Sequence, residues 1–163
     1  MRVSVGSDHA GFRRKEELKE YLLSKGIGVL DCGTFNEESC HYPVFAYSVA
    51  KNVADGRAEF GIVICKTGIG SAIAANKVKG IRCGLCHNRE SARLTRQHNH
   101  SNVLAIGAMF VDTDLAFEIA DIFLSTEEEG GRHNMRVDLI KEIEEKGLNG
   151  LPEVREFRRA DSC

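Results

Sequence analysis

The amino-acid sequence predicts an α/β fold, a Rossmann-like three-layer α/β/α sandwich on a five-stranded parallel sheet. Short apolar runs rich in β-branched residues alternate with longer stretches of helical spacing. Each strand candidate is followed by a helix candidate, which is the order that produces parallel strands. Because the 163 residues include only two prolines and no low-complexity run, we expect a single domain over residues 1–148 and a charged C-terminal extension over 149–163.

The first half of the chain supplies three strands and three helices. Leu18, Tyr21 and Leu22 lie on one face of the first helix, and Gly26 ends it. The predicted strands cover residues 2–7, 27–32 and 61–65. The predicted helices cover residues 13–24, 43–55 and 71–77.

The second half repeats the alternation with two strands and three helices. We expect Thr113 to cap the second of these helices. The predicted strands cover residues 82–86 and 103–106. The predicted helices cover residues 88–97, 112–123 and 134–146.

Charge and hydropathy exclude several classes of protein. The formal net charge is -2, which gives no electrostatic basis for binding nucleic acid or a membrane surface. The apolar runs are too short to span a bilayer. The N-terminus lacks the apolar segment of a secretory signal, so we expect a cytoplasmic protein whose six cysteines are reduced.

Cys83 and Cys86 precede His87 in the pattern CxxCH, which is typical of covalent haem attachment. That chemistry requires export, for which no signal is present, and a zinc site would require a second pair of ligands. The surrounding residues predict a buried strand in which cysteine is a small apolar side chain. We therefore expect neither a haem nor a metal here.

The segment over residues 61–70 carries the clearest sign of chemistry. An apolar strand meets Cys65, and a glycine-rich turn with Gly68 and Gly70 leads into a helix. This geometry directs backbone N–H groups at an anion and favours a cysteine in its thiolate form. A plain strand-to-helix turn with a buried cysteine remains the alternative.

Ligands of parallel α/β sheets bind beyond the carboxyl ends of the strands. Segments that follow predicted strands contain Asp8, His9, Cys65, Thr67 and a polar run over residues 98–100. A second candidate is a phosphate clamp formed by two arginines four residues apart at the start of the last helix. These arginines are Arg132 and Arg136.

At this point the chain resembles a known family. The blocks GSDHAGF (6–12), CKTGIG (65–70), IAANKVKGIR (73–82), RQHN (96–99) and GGRH (130–133), with Tyr42-Pro43, are similar to type B ribose-5-phosphate isomerases and galactose-6-phosphate isomerases. The resemblance covers residues 1–146. It implies a homodimer with active sites shared between subunits, which could pair into a tetramer, and no metal or cofactor.

The resemblance also implies roles in proton transfer. Cys65 is the base that moves a proton between C1 and C2 of the open-chain sugar, and Thr67 orients its thiol. Backbone N–H groups in the turn stabilise the enediolate oxygens. That turn comprises Lys66, Thr67, Gly68, Ile69 and Gly70.

The remaining implied roles concern the rest of the sugar phosphate. His98, supplied by the partner subunit, acts with Asp8 to open the furanose ring. Asn99 contacts the sugar and Tyr42 lines the pocket. The implied phosphate ligands are His9, Arg132 and Arg136.

This chain departs from the family pattern at four places. Lys66 stands where glycine is usual, Met109 where an arginine that helps bind phosphate is usual, and His100 where aspartate is usual. His41 and Val44 flank the Tyr-Pro pair in place of aspartate. We expect Lys66 to restore the positive charge lost at Met109, with exposure to solvent as the alternative, and we expect His41 and His100 to be polar rim residues.

The resulting expectation is an aldose–ketose isomerase that converts ribose 5-phosphate to ribulose 5-phosphate, a step of the pentose phosphate pathway. One alternative is another sugar phosphate, such as a tetrose phosphate or galactose or allose 6-phosphate. A second is a non-catalytic partner subunit, against which the retention of Cys65, Thr67 and His98 argues. A third is a regulator that binds sugar phosphates without turnover.

Overall fold

The computed structural model describes residues 1–147, and the extension expected over 149–163 lies outside them. The five strands are parallel and lie in the order β2-β1-β3-β5-β4. They are β1 (Arg2–Ser7), β2 (Gly28–Asp31), β3 (Phe60–Cys65), β4 (Cys83–Leu85) and β5 (Val103–Gly107). The predicted α/β fold with a five-stranded parallel sheet is therefore confirmed.

Six α-helices follow the strands or one another, each within a few residues of its predicted position. They are α1 (Phe12–Ser24), α2 (Tyr42–Ala54), α3 (Ile69–Ala75), α4 (Arg89–Asn99), α5 (Thr113–Ser125) and α6 (Arg132–Lys146). The predicted cap of α5 is wrong, because Asp112 accepts the hydrogen bond from the Leu115 backbone N–H at 2.9 Å. Thr113 is the first helical residue, and its hydroxyl donates to Glu17 at 2.8 Å.

Alternation along the central strands produces the three layers. Ile62 and Ile64 of β3 lie in the apolar cluster that contains Leu18 of α1 and Phe123 of α5. Val63, between them, lies in the cluster on the opposite face, against α2 and α3. Because successive side chains of a strand point to opposite faces, a strand covered by helices on both sides is apolar throughout.

β4 is an edge strand that ends before Cys86, so the prediction that Cys83 and Cys86 share a buried strand is only partly correct. Cys83 is half-buried at the sheet edge, whereas Cys86 is fully buried. Burial raises the pKa of the Cys86 thiol to about 11, which keeps it protonated. A protonated, buried thiol fits an apolar packing role rather than a metal ligand.

Within residues 1–147, no helix combines the length and the apolar character needed to cross a membrane.

Candidate active site

The carboxyl ends of β1 and β3 bring the first group of predicted site residues together. The two strands are neighbours in the sheet, and from them the chain continues to opposite sides, from β1 to β2 and from β3 to β4. Such a switch point opens a crevice for ligands. The Asp8 backbone N–H donates to the Ile64 carbonyl at 3.3 Å, which places Asp8 beside the strand that ends at Cys65.

Cys65 is 4% exposed and faces the turn that leads into α3. The backbone N–H of Gly68 donates a hydrogen bond to Cys65 Sγ at 3.1 Å. Gly68 has φ +77°, and a Cβ there would lie 2.9 Å from the Gly107 nitrogen and 2.5 Å from Leu85 Cδ1. The turn therefore requires glycine for its conformation and for its close approach to β5.

The amide groups of this turn are partly engaged already. Besides the bond from Gly68 to Cys65, the Ile69 N–H donates to Thr67 Oγ1 at 3.4 Å. The expectation that all of these amides serve the substrate is thus too simple. In the structure, the Gly68 N–H is instead bonded to the sulfur of Cys65.

Two further contacts shape the surroundings of Cys65. The Tyr42 ring packs so closely on Gly70 that a Cβ at Gly70 would lie 2.6 Å from it, which fits the expected pocket-lining role. The Met109 N–H donates to the Lys66 carbonyl at 2.9 Å. Both side chains are exposed, so Lys66 lies next to Met109, where we expect it to supply positive charge.

Asp8 and His9 are held by backbone donors. Asp8 Oδ1 accepts from the Gly11 N–H at 3.0 Å, and His9 Nδ1 accepts from the Cys40 N–H at 3.2 Å. With its Nδ1 lone pair engaged, a neutral His9 carries its proton on Nε2. His9 can then donate that proton to an anion such as a phosphate.

A second group of predicted site residues lies at the opposite end of the sheet, near the amino ends of the strands. This group consists of His98, Asn99, Arg132 and Arg136. The 11 residues of α4 carry the chain about 16 Å back toward the amino ends of the strands. There Arg82, which precedes β4, donates to the Asn99 carbonyl at 3.1 Å.

The polar run over residues 98–100 does not belong to the carboxyl edge, contrary to what its position after β4 suggested. The six residues of β3 separate the two groups by roughly 17 Å within one chain. Arg132 and Arg136 are both exposed on the first turns of α6, and their spacing places both guanidinium groups on one face.

His98 belongs to a three-residue cluster that the sequence analysis did not predict. Glu129 Oε2 lies 3.3 Å from His98 Nε2 and 3.8 Å from His133 Nε2. The two imidazoles stack with centroids 4.1 Å apart and planes 6° apart. Burial, together with the nearby His98, lowers the pKa of His133. The signal available was the acidic run over residues 127–129 before GGRH.

The donor set of this cluster resembles a zinc site, but its geometry does not fit one. An imidazole nitrogen binds a metal along its lone pair, which lies in the ring plane. One ion cannot lie in the planes of two rings that are parallel and stacked. As folded, these three side chains therefore do not form a zinc site.

His100 is buried, so the expectation of a polar rim residue is wrong. It ends α4 with φ 49°, a left-handed conformation that turns its ring inward. Its Nε2 lies 3.0 Å from the Glu129 carbonyl and its Nδ1 lies 3.2 Å from Glu128 Oε2. His41, in contrast, is exposed before α2, as expected.

The family model described as Ribose/Galactose Isomerase matches residues 3–140. Ribose-5-phosphate isomerase B of Escherichia coli (strain K12) is 46% identical over 145 residues, which are 89% of this chain and 97% of that protein.

Solved structures agree in fold. Ribose-5-phosphate isomerase B of Clostridium thermocellum superimposes with a TM-score of 0.88 at 48% identity, covering 90% of this chain and 99% of that one. The Thermotoga maritima ribose 5-phosphate isomerase gives a TM-score of 0.85 at 47% identity, covering 86% of this chain and 97% of that one.

Proposed function

This chain belongs to the ribose/galactose isomerase family and is an aldose–ketose isomerase of phosphorylated sugars, and we propose that it interconverts ribose 5-phosphate and ribulose 5-phosphate. The observation that carries the proposal is the hydrogen bond from the Gly68 N–H to the buried thiol of Cys65, beside Asp8. A base of this kind is what removal of a proton next to a carbonyl requires.

In the proposed reaction the Cys65 thiolate takes the proton from C2 of the open-chain aldose. The electron pair of that C–H bond forms the C1–C2 double bond, and negative charge passes to the carbonyl oxygen. Amide donors of the turn before α3 stabilise this enediolate, each contributing roughly 3 kcal/mol. Cys65 returns the proton to C1, while the proton on the C2 hydroxyl moves to O1 and leaves the ketone. Thr67 orients the thiol.

Ribose 5-phosphate is mainly a closed furanose, so its ring opens first. His98 protonates the ring oxygen as the bond between C1 and that oxygen breaks, and Asp8 accepts the proton of the C1 hydroxyl. Asn99 contacts the sugar. His9, Arg132 and Arg136 bind the phosphate, with Lys66 adding positive charge beside Met109.

These roles require residues from a second subunit. Asp8 and Cys65 lie at the carboxyl ends of the strands and His98 lies toward their amino ends, so one chain alone does not bring them together. Exposed apolar side chains on the adjacent helices α2 and α3 support association with a second copy. They are Val44, Tyr47, Ile69 and Ile73. We therefore propose a homodimer in which each site combines the two groups from different chains.

The test is turnover by the purified chain of a panel of four-, five- and six-carbon aldose phosphates, followed by proton NMR in deuterated water. Ribose 5-phosphate is expected to be the best substrate, with deuterium entering at C1 of the product. A clear preference for a hexose 6-phosphate or a tetrose phosphate would overturn the proposed substrate. Absence of turnover across the panel would overturn the proposed catalysis itself.

A further inference from the structure

The segment over residues 126–129, between α5 and α6, is fastened to the C-terminal end of α4 at several points. The Glu129 N–H donates to the Gln97 carbonyl at 3.0 Å. Arg96, 7% exposed, donates to the Thr126 carbonyl at 3.3 Å and reaches Glu128 at 3.2 Å. These bonds fix the backbone of Glu129 relative to the helix that carries His98.

His100 attaches the same segment to the end of α4 at two further points. Both of its ring nitrogens face acceptor oxygens, the Glu129 carbonyl and the Glu128 carboxylate. The ring therefore contacts this segment at both of its nitrogens. Arg82, the residue before β4, donates to the His100 carbonyl at 2.9 Å, which anchors the same residue from a second element.

The result is a carboxylate placed against one edge of the His98 ring. Glu129 Oε2 lies 3.3 Å from His98 Nε2, while the face of the same ring stacks on the buried His133. The contact with Glu129 at the ring edge and the stacking of His133 on the ring face together restrict rotation of the imidazole. Because Glu129 engages Nε2, the nitrogen that remains for the sugar is Nδ1.

We propose that Glu129 is the positioning residue of His98, holding the imidazole at Nε2 so that Nδ1 serves the opening of the sugar ring. The inference rests on the proposed function of His98. A carboxylate that orients a histidine and stabilises its protonated form is a recurrent arrangement in acid–base catalysis. Glu129 itself does not touch the substrate.

The test exploits a chemical difference between the two sugars. In ribulose 5-phosphate the O5 hydroxyl that would close the ring carries the phosphate, so this ketose is open-chain. Exchange of its C1 proton with deuterated water needs Cys65 but no ring opening. Conversion of ribose 5-phosphate needs both Cys65 and the opening of the ring. Comparing the two rates therefore isolates the step assigned to His98.

Glu129→Ala is expected to lower the kcat for ribose 5-phosphate at least tenfold, a part of the roughly 100- to 10,000-fold that acid–base groups contribute. It should leave C1 proton exchange of ribulose 5-phosphate within twofold. Glu127→Ala, from the same acidic run and exposed, should leave both rates unchanged. Glu129→Gln, which keeps an acceptor oxygen, should recover part of the loss.

An equal fall of both rates in Glu129→Ala would overturn the proposal, because it would indicate general damage to the site. Unchanged ribose conversion would overturn it as well. Failure of the proposed function looks different, because the unmodified chain would then convert no ribose 5-phosphate and exchange no proton.

Discussion

The backbone N–H of Gly68 donates a 3.1 Å hydrogen bond to the sulfur of Cys65. The left-handed conformation of Gly68 directs that N–H inward, toward the thiol. In the proposed mechanism the glycine of the turn therefore acts on the base that transfers the proton, in addition to its role in the backbone geometry.

Replacing the thiol should separate chemistry from binding. Cys65→Ala is expected to reduce kcat to the background rate while leaving the Kd for ribose 5-phosphate within about threefold, because in the proposed mechanism the sulfur acts at C1 and C2 and does not contact the phosphate. Steady-state assays of turnover measure kcat, and calorimetric titration measures the Kd. Cys83→Ala, which removes a half-buried thiol at the sheet edge, serves as the control and should retain activity. Retained turnover in Cys65→Ala would eliminate the proposed base.

The turn itself can be tested with two glycines of similar conformation. Gly68 and Gly80 have φ +77° and +80°, but a Cβ at Gly80 meets nothing within 4 Å. Gly80→Ala should cost only the conformational term of about 1–2 kcal/mol. Gly68→Ala should cost about 1–3 kcal/mol more from overpacking and should abolish turnover. Equal stability losses, measured by urea denaturation, would show that the close approach to β5 contributes nothing.

Lys66 offers a test of phosphate recognition. Lys66→Met removes the charge at nearly constant size, and we expect KM for ribose 5-phosphate to rise about tenfold or more, since bonds to charged groups contribute roughly 1.5–3 kcal/mol. The kcat should change little, because the phosphate is remote from C1 and C2. Lys79→Met is a matched change at another exposed lysine and should leave KM as it was. An unaltered KM in Lys66→Met would mean that this amine points to solvent.

Lys15 is fully buried, with its Nζ 2.8 Å from Asp31 and 2.6 Å from Glu16. Burial by itself would raise the pKa of Asp31, but hydrogen bonds from Lys15, the Gly33 N–H and Lys19 outweigh it and hold the pKa below 3.8. A lowered folded-state pKa stabilises the protein above the unfolded value, and this stabilisation is lost as the pH falls through the folded-state pKa.

Lys15→Met is therefore expected to lower the free energy of unfolding by about 3 kcal/mol at pH 7. The difference from the unmodified protein should shrink as the pH falls below about 4, because Asp31 of the unfolded chain then takes up a proton that the folded protein, with its lowered pKa, still excludes. Lys19→Met removes a more exposed member of the same network and should cost about 1 kcal/mol or less. Urea denaturation at pH 7 and pH 3.5 measures these values, and a loss that is independent of pH would contradict the electrostatic explanation.

The fold was predictable because its determinants are local in sequence. Val3 and Val5, like Ile62 and Ile64, point to one face of the sheet, and runs of such residues between helical stretches indicate buried parallel strands. The order of the strands in the sheet does not follow from this pattern. It depends on which crossover each helix makes.

The candidate site was predictable in part. Cys65 and the turn after it are contiguous in sequence, so their relationship could be inferred directly. The contact between His98 and Glu129 joins residues 31 positions apart through the packing of segment 126–129 on α4, which no local pattern encodes. His100 was misplaced for a similar reason, because its left-handed backbone turns the ring inward.

The separation of Cys65 from His98 within one chain yields the most discriminating prediction. If each site takes Cys65 from one subunit and His98 from the other, Cys65→Ala and His98→Ala homodimers are both inactive. A heterodimer of the two variants contains one site with both residues lost and one site with both intact. Dimers purified through a different tag on each variant should therefore regain about half of the unmodified activity.

The matched control pairs Cys65→Ala with Asp8→Ala. Both changes affect the same edge of the sheet, so each site of that heterodimer lacks one residue and activity should not return. Recovery in the first pair without recovery in the second requires that the two groups act across a subunit boundary. If neither heterodimer recovers activity, each site is built from a single chain, and the two edges of the sheet would have to meet by a rearrangement within it.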